Sequence, residues 1–285
     1  MDQFAYQDPD RLASSMKEWH DKKTGFWARF PFGPFALKRI DKTIQDPVWE
    51  AAKLSHSNDD PTEQLPNQPH IEFWTTELYF PAPPAQNDGQ STLSLFVFLS
   101  KQHYLWIFLG NKQQSYDPVK GEGIITLITF LCRAKQRGTV RLSSNVPTSK
   151  PLIDHGHLSE ELDVAVLAEG CRLGHEVLMK GSGTKDIICG PWPNTISHPE
   201  DTAGWKEHVR TSSGTCFHPG GTCKMAPDDD PMGVVDSRLR VRNIANLRVA
   251  DVSILPILNS GHTQAPAYAI GEKAAHMVLQ DTVDG

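Results

Sequence analysis

The stretch from His218 to His262, with the segment that follows it, most constrains what this chain can fold into. Each of these two histidines stands beside glycine or proline, where a backbone can hold an imidazole over a ligand. Between them, Leu247–Asp251 is a short apolar run that ends in an acid, and it predicts a buried strand with a polar residue at its tip. Pro266 suits the first turn of a helix, so a loop and then a helix are predicted after that strand. The apolar residues at helical spacing along this helix are Ala267, Ile270, Ala274, Met277 and Val278.

The composition is that of an ordinary globular protein. Hydrophobic residues make up 39% and charged residues 22% of 285 residues, a length that can form one large domain or two small ones. A net charge of −6 without a long Lys/Arg run argues against a nucleic-acid or anionic-membrane surface. The N-terminal residues lack the pattern of a signal peptide, and no apolar run is long enough to span a bilayer. We therefore expect a cytoplasmic protein without nucleic-acid or membrane partners.

The cysteines do not form a recognisable framework. There are five, an odd number, and none belongs to a C-x-x-C pair: Cys132, Cys171, Cys189, Cys216 and Cys223. Neither a disulfide framework nor a structural zinc site is expected, and free, mostly buried thiols are the simplest interpretation. His155 and His157 form a His-x-His pair, but a third ligand at suitable spacing is missing. We predict no metal site.

Short β-branched or aromatic runs parted by turn residues predict strands. These runs are His70–Phe80, Ser91–Leu99, Tyr104–Leu109, Gly123–Leu131 and Thr139–Leu142. Because strand–helix–strand repeats are missing, an antiparallel sheet is favoured over a parallel one.

Helices are predicted at Asp10–Lys22, from a Ser159 cap to Met179, and from His198 to Arg210. Breakers such as Pro31, Gly33 and Pro34 indicate a packed loop over the rest of residues 1–50. Residues 51–69 are polar and rich in Asn, Asp and Pro, so we expect an exposed connection there.

Five blocks of sequence resemble a known family. In chain order they are His218–Met225, Val234–Val241, Leu247–Ile254 with Pro256, Ser260–Pro266 and Ile270–Ala275. Their order and spacing resemble the C-terminal signature of the glucose-methanol-choline (GMC) flavoprotein oxidoreductases. Arg133–Ser144 with Pro151–Asp154 is similar to part of that family's substrate-domain sheet. The resemblance is strong after Gly138 and weak before Ile71.

The resemblance implies an α+β fold with two parts. The first is a mostly antiparallel substrate-domain sheet with helices on one face; the second is the last strand, loop and helix of a GMC FAD-binding domain. We place the substrate-binding domain at residues 1–215, opening with an aromatic-rich segment at 1–69. The C-terminal part of the FAD-binding domain is placed at residues 216–285.

By the same resemblance, His218 and His262 are the catalytic pair that faces the reactive edge of the flavin. His218 is favoured as the general base, because imidazole titrates near neutrality. His262 is expected to hydrogen-bond the alkoxide and orient the substrate, and the base role can be shared between the two.

Four further positions are implied as cofactor contacts. Asp251 and Val252 correspond to positions that meet the ribityl-pyrophosphate region of FAD. Thr263 and Gln264 stand where a helix start faces the pyrimidine ring of the flavin, and the positive end of the helix dipole would stabilise a reduced, anionic flavin.

FAD is the implied cofactor, yet the G-x-G-x-x-G fingerprint with which the family binds the ADP part is not found in these residues. We therefore expect the C-terminal half of an oxidoreductase that acts on a small-molecule alcohol, with a separate FAD-binding half or a homo-oligomer as partner. A truncated sequence, a split protein and a remnant with a new role all stay open. The alternative functions are a non-redox cyclase or dehydratase and a non-catalytic partner.

Overall fold

The structure, a computed structural model, describes residues 9–25, 28, 32–56, 60–76, 95–100, 123–191 and 201–283. They fall into two compact units, one within Met1–Gln136 and His157–Thr215 and the other within Arg137–Gly156 and Cys216–Gly285. The units differ from the domains placed from the sequence in residues 137–156, which belong to the second unit. The predicted strand Tyr104–Leu109 lies outside the described residues, as do the ends of two others at 77–80 and 91–94.

The described residues form helices and strands in this order. The helices are α1 (Pro9–Lys22), α2 (Pro47–Ser55), α3 (Glu161–Lys180), α4 (Thr202–Ser212) and α5 (Gln264–Val283). The strands are β1 (Phe32–Lys38), β2 (Ile71–Thr76), β3 (Leu95–Ser100), β4 (Gly123–Leu131), β5 (Thr139–Arg141), β6 (Leu152–Asp154) and β7 (Ile188–Pro191). A short 3₁₀ turn covers Val252–Ile254.

The first unit is built on a five-stranded sheet in the order β1-β2-β4-β3-β7. Every neighbouring pair of strands is antiparallel. Alternate residues of β2 and β4 face the helices, and Ile71 and Leu127 are buried there. The prediction of an α+β fold with a mostly antiparallel sheet is confirmed.

Helix α3 lies directly on this sheet because two glycines on it allow a close approach. A Cβ atom at Gly170 would lie 2.9 Å from side-chain carbons of Ile71 and Thr129, and one at Gly174 would lie 2.7 Å from Leu127. Helices α2 and α4 add their tryptophans, Trp49 and Trp205, to the core that α3 and the sheet share. The helix predicted from Ser159 is therefore present, but Glu160 occupies its N-cap without a side-chain capping bond, so the predicted Ser159 cap is wrong.

Two predictions for residues 23–69 are wrong. Phe32–Lys38 is a strand rather than a loop, because β1 lies at the edge of the sheet, where a proline removes no needed ladder bond, and its register shifts between Phe32 and Phe35. Residues 47–55 form α2, whose N-cap Asp46 accepts from the Val48 N–H at 2.8 Å.

The connection expected to be exposed instead contains a buried polar cluster. Asp60 accepts from His70 Nε2 at 2.8 Å, from Arg39 at 2.7 Å and from the Thr62 N–H at 2.9 Å. His70 accepts the Ile40 N–H at Nδ1, 3.0 Å away. Burial raises the pKa of Asp60, but the hydrogen bonds from His70 and Thr62 outweigh it, so the net pKa lies well below its usual range. The cluster fixes the chain before β2 to the chain after β1.

The second unit contains the β5–β6 hairpin, the 3₁₀ turn and α5. Its core consists of Val235, Leu239, Ile254 and Ala274, with Ile270 and Met277 of α5 packed against them. Asp281 of α5 pairs with both Arg238 and Arg248. In the part of the chain that the structure describes, no helix combines the length and the hydropathy that a membrane span requires.

The prediction of a buried strand over Leu247–Asp251 is wrong. Arg248 forms only an isolated antiparallel bridge with Arg240, Leu247 is 46% exposed, and Asp251 is exposed. Val249 alone packs against the core of the unit. On α5, the predicted apolar face is narrower than expected, because Ala267 and Val278 are exposed.

We expect a glycine-to-alanine change to have opposite effects on the two helices. Gly170→Ala should destabilise the protein by about 1–3 kcal/mol, because its methyl group would overlap Ile71 and Thr129. The matched change Gly271→Ala on α5, where a Cβ atom meets nothing within 4 Å, should stabilise it by about 0.5–1 kcal/mol through helix propensity. Urea unfolding followed by circular dichroism measures both; a stabilising Gly170→Ala would show that α3 does not need this close approach.

The ionised carboxylate of Asp60 should make the free energy of unfolding fall as the pH becomes acidic. Its pKa is depressed in the folded state, so its contribution is fully present above the unfolded value of about 3.9 and is lost as the pH falls through the lower folded value. Asp60→Asn should cost about 3 kcal/mol at neutral pH, because it leaves buried partners unmatched, and should flatten the loss of stability in acid. Asp41→Asn is the control, since Asp41 also contacts Arg39 but is more exposed; it should cost under about 1 kcal/mol. Equal losses in both variants would contradict this role of Asp60.

Candidate active site

Three backbone hydrogen bonds hold the loop of His218 beside the 3₁₀ turn. Gly221 donates to the Val252 carbonyl at 3.3 Å, Cys223 to the Ser253 carbonyl at 2.9 Å, and Met225 to the Ile254 carbonyl at 2.8 Å. A Cβ atom at Gly220 would lie 2.9 Å from the Val252 carbonyl oxygen, so a glycine is needed for this approach. Residues 221–225 therefore run alongside residues 252–254.

The structure brings His218 and His262 together within the second unit. Their ring centroids are 4.9 Å apart and their planes meet at 84°. Both residues are half-buried, so a small molecule can reach them. Two accessible imidazoles this close together can reach the same small group, so either can accept or donate a proton there.

Asn259 fixes the backbone that carries His262. Its amide nitrogen donates to the carbonyl oxygens of Gly261 and His262, each at 3.1 Å. Gly261, which lies between Asn259 and His262, has a φ of +155°. A residue with an L side chain rarely adopts this conformation, so a glycine suits the turn before the histidine. Helix α5 then starts at Gln264, and its first backbone bond runs from Ala267 to the Thr263 carbonyl at 3.0 Å. His262 thus stands immediately before the positive end of a helix.

The four predicted cofactor positions form two groups on the same unit. Asp251 caps the 3₁₀ turn: its carboxylate accepts from the Ser253 N–H at 2.7 Å, and hydrogen bonding to Ser253 lowers its pKa. Val252 follows, with its carbonyl against Gly220 and Gly221. Thr263 and Gln264 lie at the start of α5 next to His262. Their roles as cofactor contacts stay predictions.

A third reactive group, which the sequence did not single out, lies beside the two histidines. The Sγ of Cys216 and one ring nitrogen each of His218 and His262 all lie within 4.8 Å of one another. Cys216 is a half-buried cysteine outside any disulfide, as is Cys223, whereas Cys132 and Cys171 are buried as expected. Burial of those two raises their thiol pKa, to about 12 for Cys132. The C-x-H spacing of Cys216 and His218 was the only available signal.

Phe217 stands between Cys216 and His218 with a φ of +59°. This left-handed conformation is unfavourable for a bulky residue, by roughly 1–2 kcal/mol. Its side chain is 73% exposed, so its packing does not explain the conformation. The strained residue turns the backbone at the point where Cys216 and His218 converge on His262.

Comparison with known proteins gives the family: residues 134–271 match the family described as GMC oxidoreductase. Through this region, the chain belongs to the GMC oxidoreductases.

The relatives show how much of such a protein these residues correspond to. Pyranose dehydrogenase from Agaricus campestris is 31% identical over 86% of this chain and 39% of its own length. An oxygen-dependent choline dehydrogenase from Brucella anthropi is 38% identical over 53% of this chain and 27% of its own. Formate oxidase from Aspergillus oryzae, studied for modification of its FAD, superposes with a TM-score of 0.74 at 26% identity, over 96% of this chain and 42% of that one. The chain spans about two fifths of the length of the first of these relatives.

The residues of the second unit fit the heterocyclic end of a flavin. The start of α5 carries the partial positive charge of a helix N-terminus. The Oδ1 atom of Asn259 is buried and has no hydrogen-bond partner among the described residues, and a buried acceptor of this kind is normally satisfied by a donor on a ligand, water or protein. The glycine fingerprint for the ADP end is not found within the 285 residues.

Replacing Phe217 tests whether backbone strain is stored at this site. Phe217→Gly should be about 1 kcal/mol more stable than Phe217→Ala, because only glycine adopts a positive φ without penalty. Both variants lose the same exposed ring, so the difference between them reports the backbone alone. Chemical unfolding of the two proteins measures it; equal stability would mean that the left-handed conformation is not retained in solution.

Proposed function

We propose that this chain supplies the catalytic end of a GMC-type active site that oxidises the CH–OH group of a small-molecule alcohol. The observation that carries the proposal is the pair of half-buried imidazoles, 4.9 Å apart at right angles, immediately before α5. The names of the relatives, a pyranose dehydrogenase and a choline dehydrogenase, support substrates that carry hydroxyl groups.

In this proposal His218 takes the hydroxyl proton of the alcohol. It lies on the loop that three backbone bonds attach to the 3₁₀ turn, so the backbone that carries its ring is positioned without the substrate. His262, whose carbonyl Asn259 fixes, donates a hydrogen bond to the developing alkoxide and orients it. Because the rings are perpendicular and both are accessible, the proton can also rest on His262, and the two share the base role.

FAD, when bound, supplies the acceptor for the hydride that leaves the alcohol carbon. Thr263 and Gln264 would hold its pyrimidine end at the start of α5, where the helix dipole favours negative charge. The ionised carboxylate of Asp251 would accept hydrogen bonds from ribityl hydroxyls, with Val252 beside it. An FAD-binding half or a second copy of the chain would complete the site, which agrees with the exposure of apolar residues on the second unit: Ile244, Leu247, Ile257, Tyr268, Val278 and Leu279.

The test is flavin binding followed by alcohol-dependent flavin reduction. The purified chain is incubated with FAD, freed of excess cofactor, and mixed anaerobically with a panel of sugars and choline-like and aromatic alcohols. We expect the flavin absorbance to be retained and then bleached. His218→Ala and His262→Ala should retain the flavin bands but bleach about 10²–10⁴-fold more slowly.

His276→Asn is the matched control, because His276 is an exposed histidine on α5 away from the pair. It should bleach at the wild-type rate. Retained flavin with an alcohol converted but no bleaching would favour the non-redox cyclase or dehydratase. Histidine variants as fast as the wild type would refute the proposal, and a chain that retains no flavin would show that the FAD-binding half is needed to form the site.

A further inference from the structure

We propose that Cys216, His218 and His262 form a binding site for Zn²⁺ or a similar borderline-soft divalent ion. The thiol and one nitrogen of each imidazole lie within 4.8 Å of one another, and all three residues are half-buried. All three belong to the second unit, so the site needs no residue from elsewhere in the chain.

The ligand set matches the chemistry of zinc. Thiolate sulfur and imidazole nitrogen are the ligands that Zn²⁺ prefers, and three protein ligands with one open position for water form an established type of accessible zinc site. In a tetrahedral site the ligand atoms are roughly 3.5 Å apart, given metal–ligand distances of about 2.0–2.3 Å. The three atoms here lie within 4.8 Å of one another, so their largest separation exceeds the tetrahedral one by at most about 1.3 Å, a gap that side-chain rotation can close.

The backbone holds the three side chains together before any metal arrives. The positive φ of Phe217 turns the chain between Cys216 and His218, so that both converge on His262. The Asn259 side chain donates a hydrogen bond to the carbonyl of His262. Because the arrangement is prepared by the fold, less conformational entropy has to be lost when an ion binds.

Binding would proceed with a defined proton balance. The thiol of Cys216 loses its proton to solvent as the Cys216 sulfur bonds the metal, while each histidine gives a lone pair from a neutral ring. One proton is therefore released for each ion bound whenever the thiol starts protonated. Metal and substrate proton compete for the same imidazole lone pairs, so an occupied site would leave no base for alcohol oxidation. The inference itself does not rest on that activity.

Cobalt titration tests the site on the untagged full chain, without flavin. After treatment with a chelator and its removal, Co²⁺ should bind at one equivalent and produce a thiolate-to-cobalt charge-transfer band together with the intense visible bands of four-coordinate cobalt. Zn²⁺ should then displace it and abolish both. The charge-transfer band requires a thiolate ligand, so the wild-type protein alone already reports whether a cysteine binds the ion.

Variants identify the ligands. Cys216→Ser should abolish the charge-transfer band, and His218→Asn and His262→Asn should each weaken cobalt binding by at least about tenfold, the scale of effects seen around metal sites. Cys223→Ser and His276→Asn are the matched controls and should bind as the wild type does. Circular dichroism confirms that each variant is folded.

Three results would overturn the proposal: no charge-transfer band in the wild type, loss of the band in Cys223→Ser, or wild-type binding by Cys216→Ser. Because the titration contains no FAD and no alcohol, its outcome is independent of the flavin experiment. Binding of cobalt without flavin can therefore be distinguished from binding of flavin without cobalt.

Discussion

The candidate site depends on the backbone hydrogen bonds that join Gly221–Met225 to Val252–Ile254. They place two segments, about thirty residues apart in the sequence, side by side, and a glycine at 220 is required because a Cβ atom there would meet the Val252 carbonyl. The loop of His218 therefore cannot shift without the turn that Asp251 caps. The carbonyl of His262, in turn, is held by Asn259. Main-chain contacts, rather than contacts between the rings, determine where the two imidazoles meet.

Much of the first unit could be predicted because its strands are short runs of β-branched and aromatic residues parted by turn residues, a signal that does not depend on tertiary contacts. The wrong predictions have a common cause: strand pairing and burial in a polar or proline-containing segment depend on tertiary neighbours, which the residue types of the segment do not show. Pro34 was interpreted as a breaker, yet an edge strand tolerates it. Asp60 lies in a polar segment that was expected to be exposed, yet it is buried and accepts a hydrogen bond from His70, the first residue of the predicted strand His70–Phe80.

At the site, the sequence supplied the histidine pair through the family signature, and the structure brings that pair together. It did not supply Cys216, Phe217 or Asn259. The importance of Cys216 depends on a left-handed backbone at Phe217, and no residue type signals that conformation when the residue is not glycine. The strand expected at Leu247–Asp251 was wrong for a related reason: an apolar run predicts burial, but pairing also requires a partner with free ladder groups, and here Arg248 forms only a single bridge.

The thiol distinguishes this site from a simple acid–base pair. Two neutral imidazoles alone bind a divalent ion weakly, and their lone pairs remain available to accept a proton. A thiolate close to both imidazoles adds a negative charge and a third, soft ligand. It therefore favours binding of a metal ion over binding of a proton. The same two lone pairs then serve either a substrate proton or an ion, but not both at once. Because the fold holds all three groups on one small unit, we expect metal and proton concentrations around the chain, rather than a rearrangement of its backbone, to determine which of the two binds.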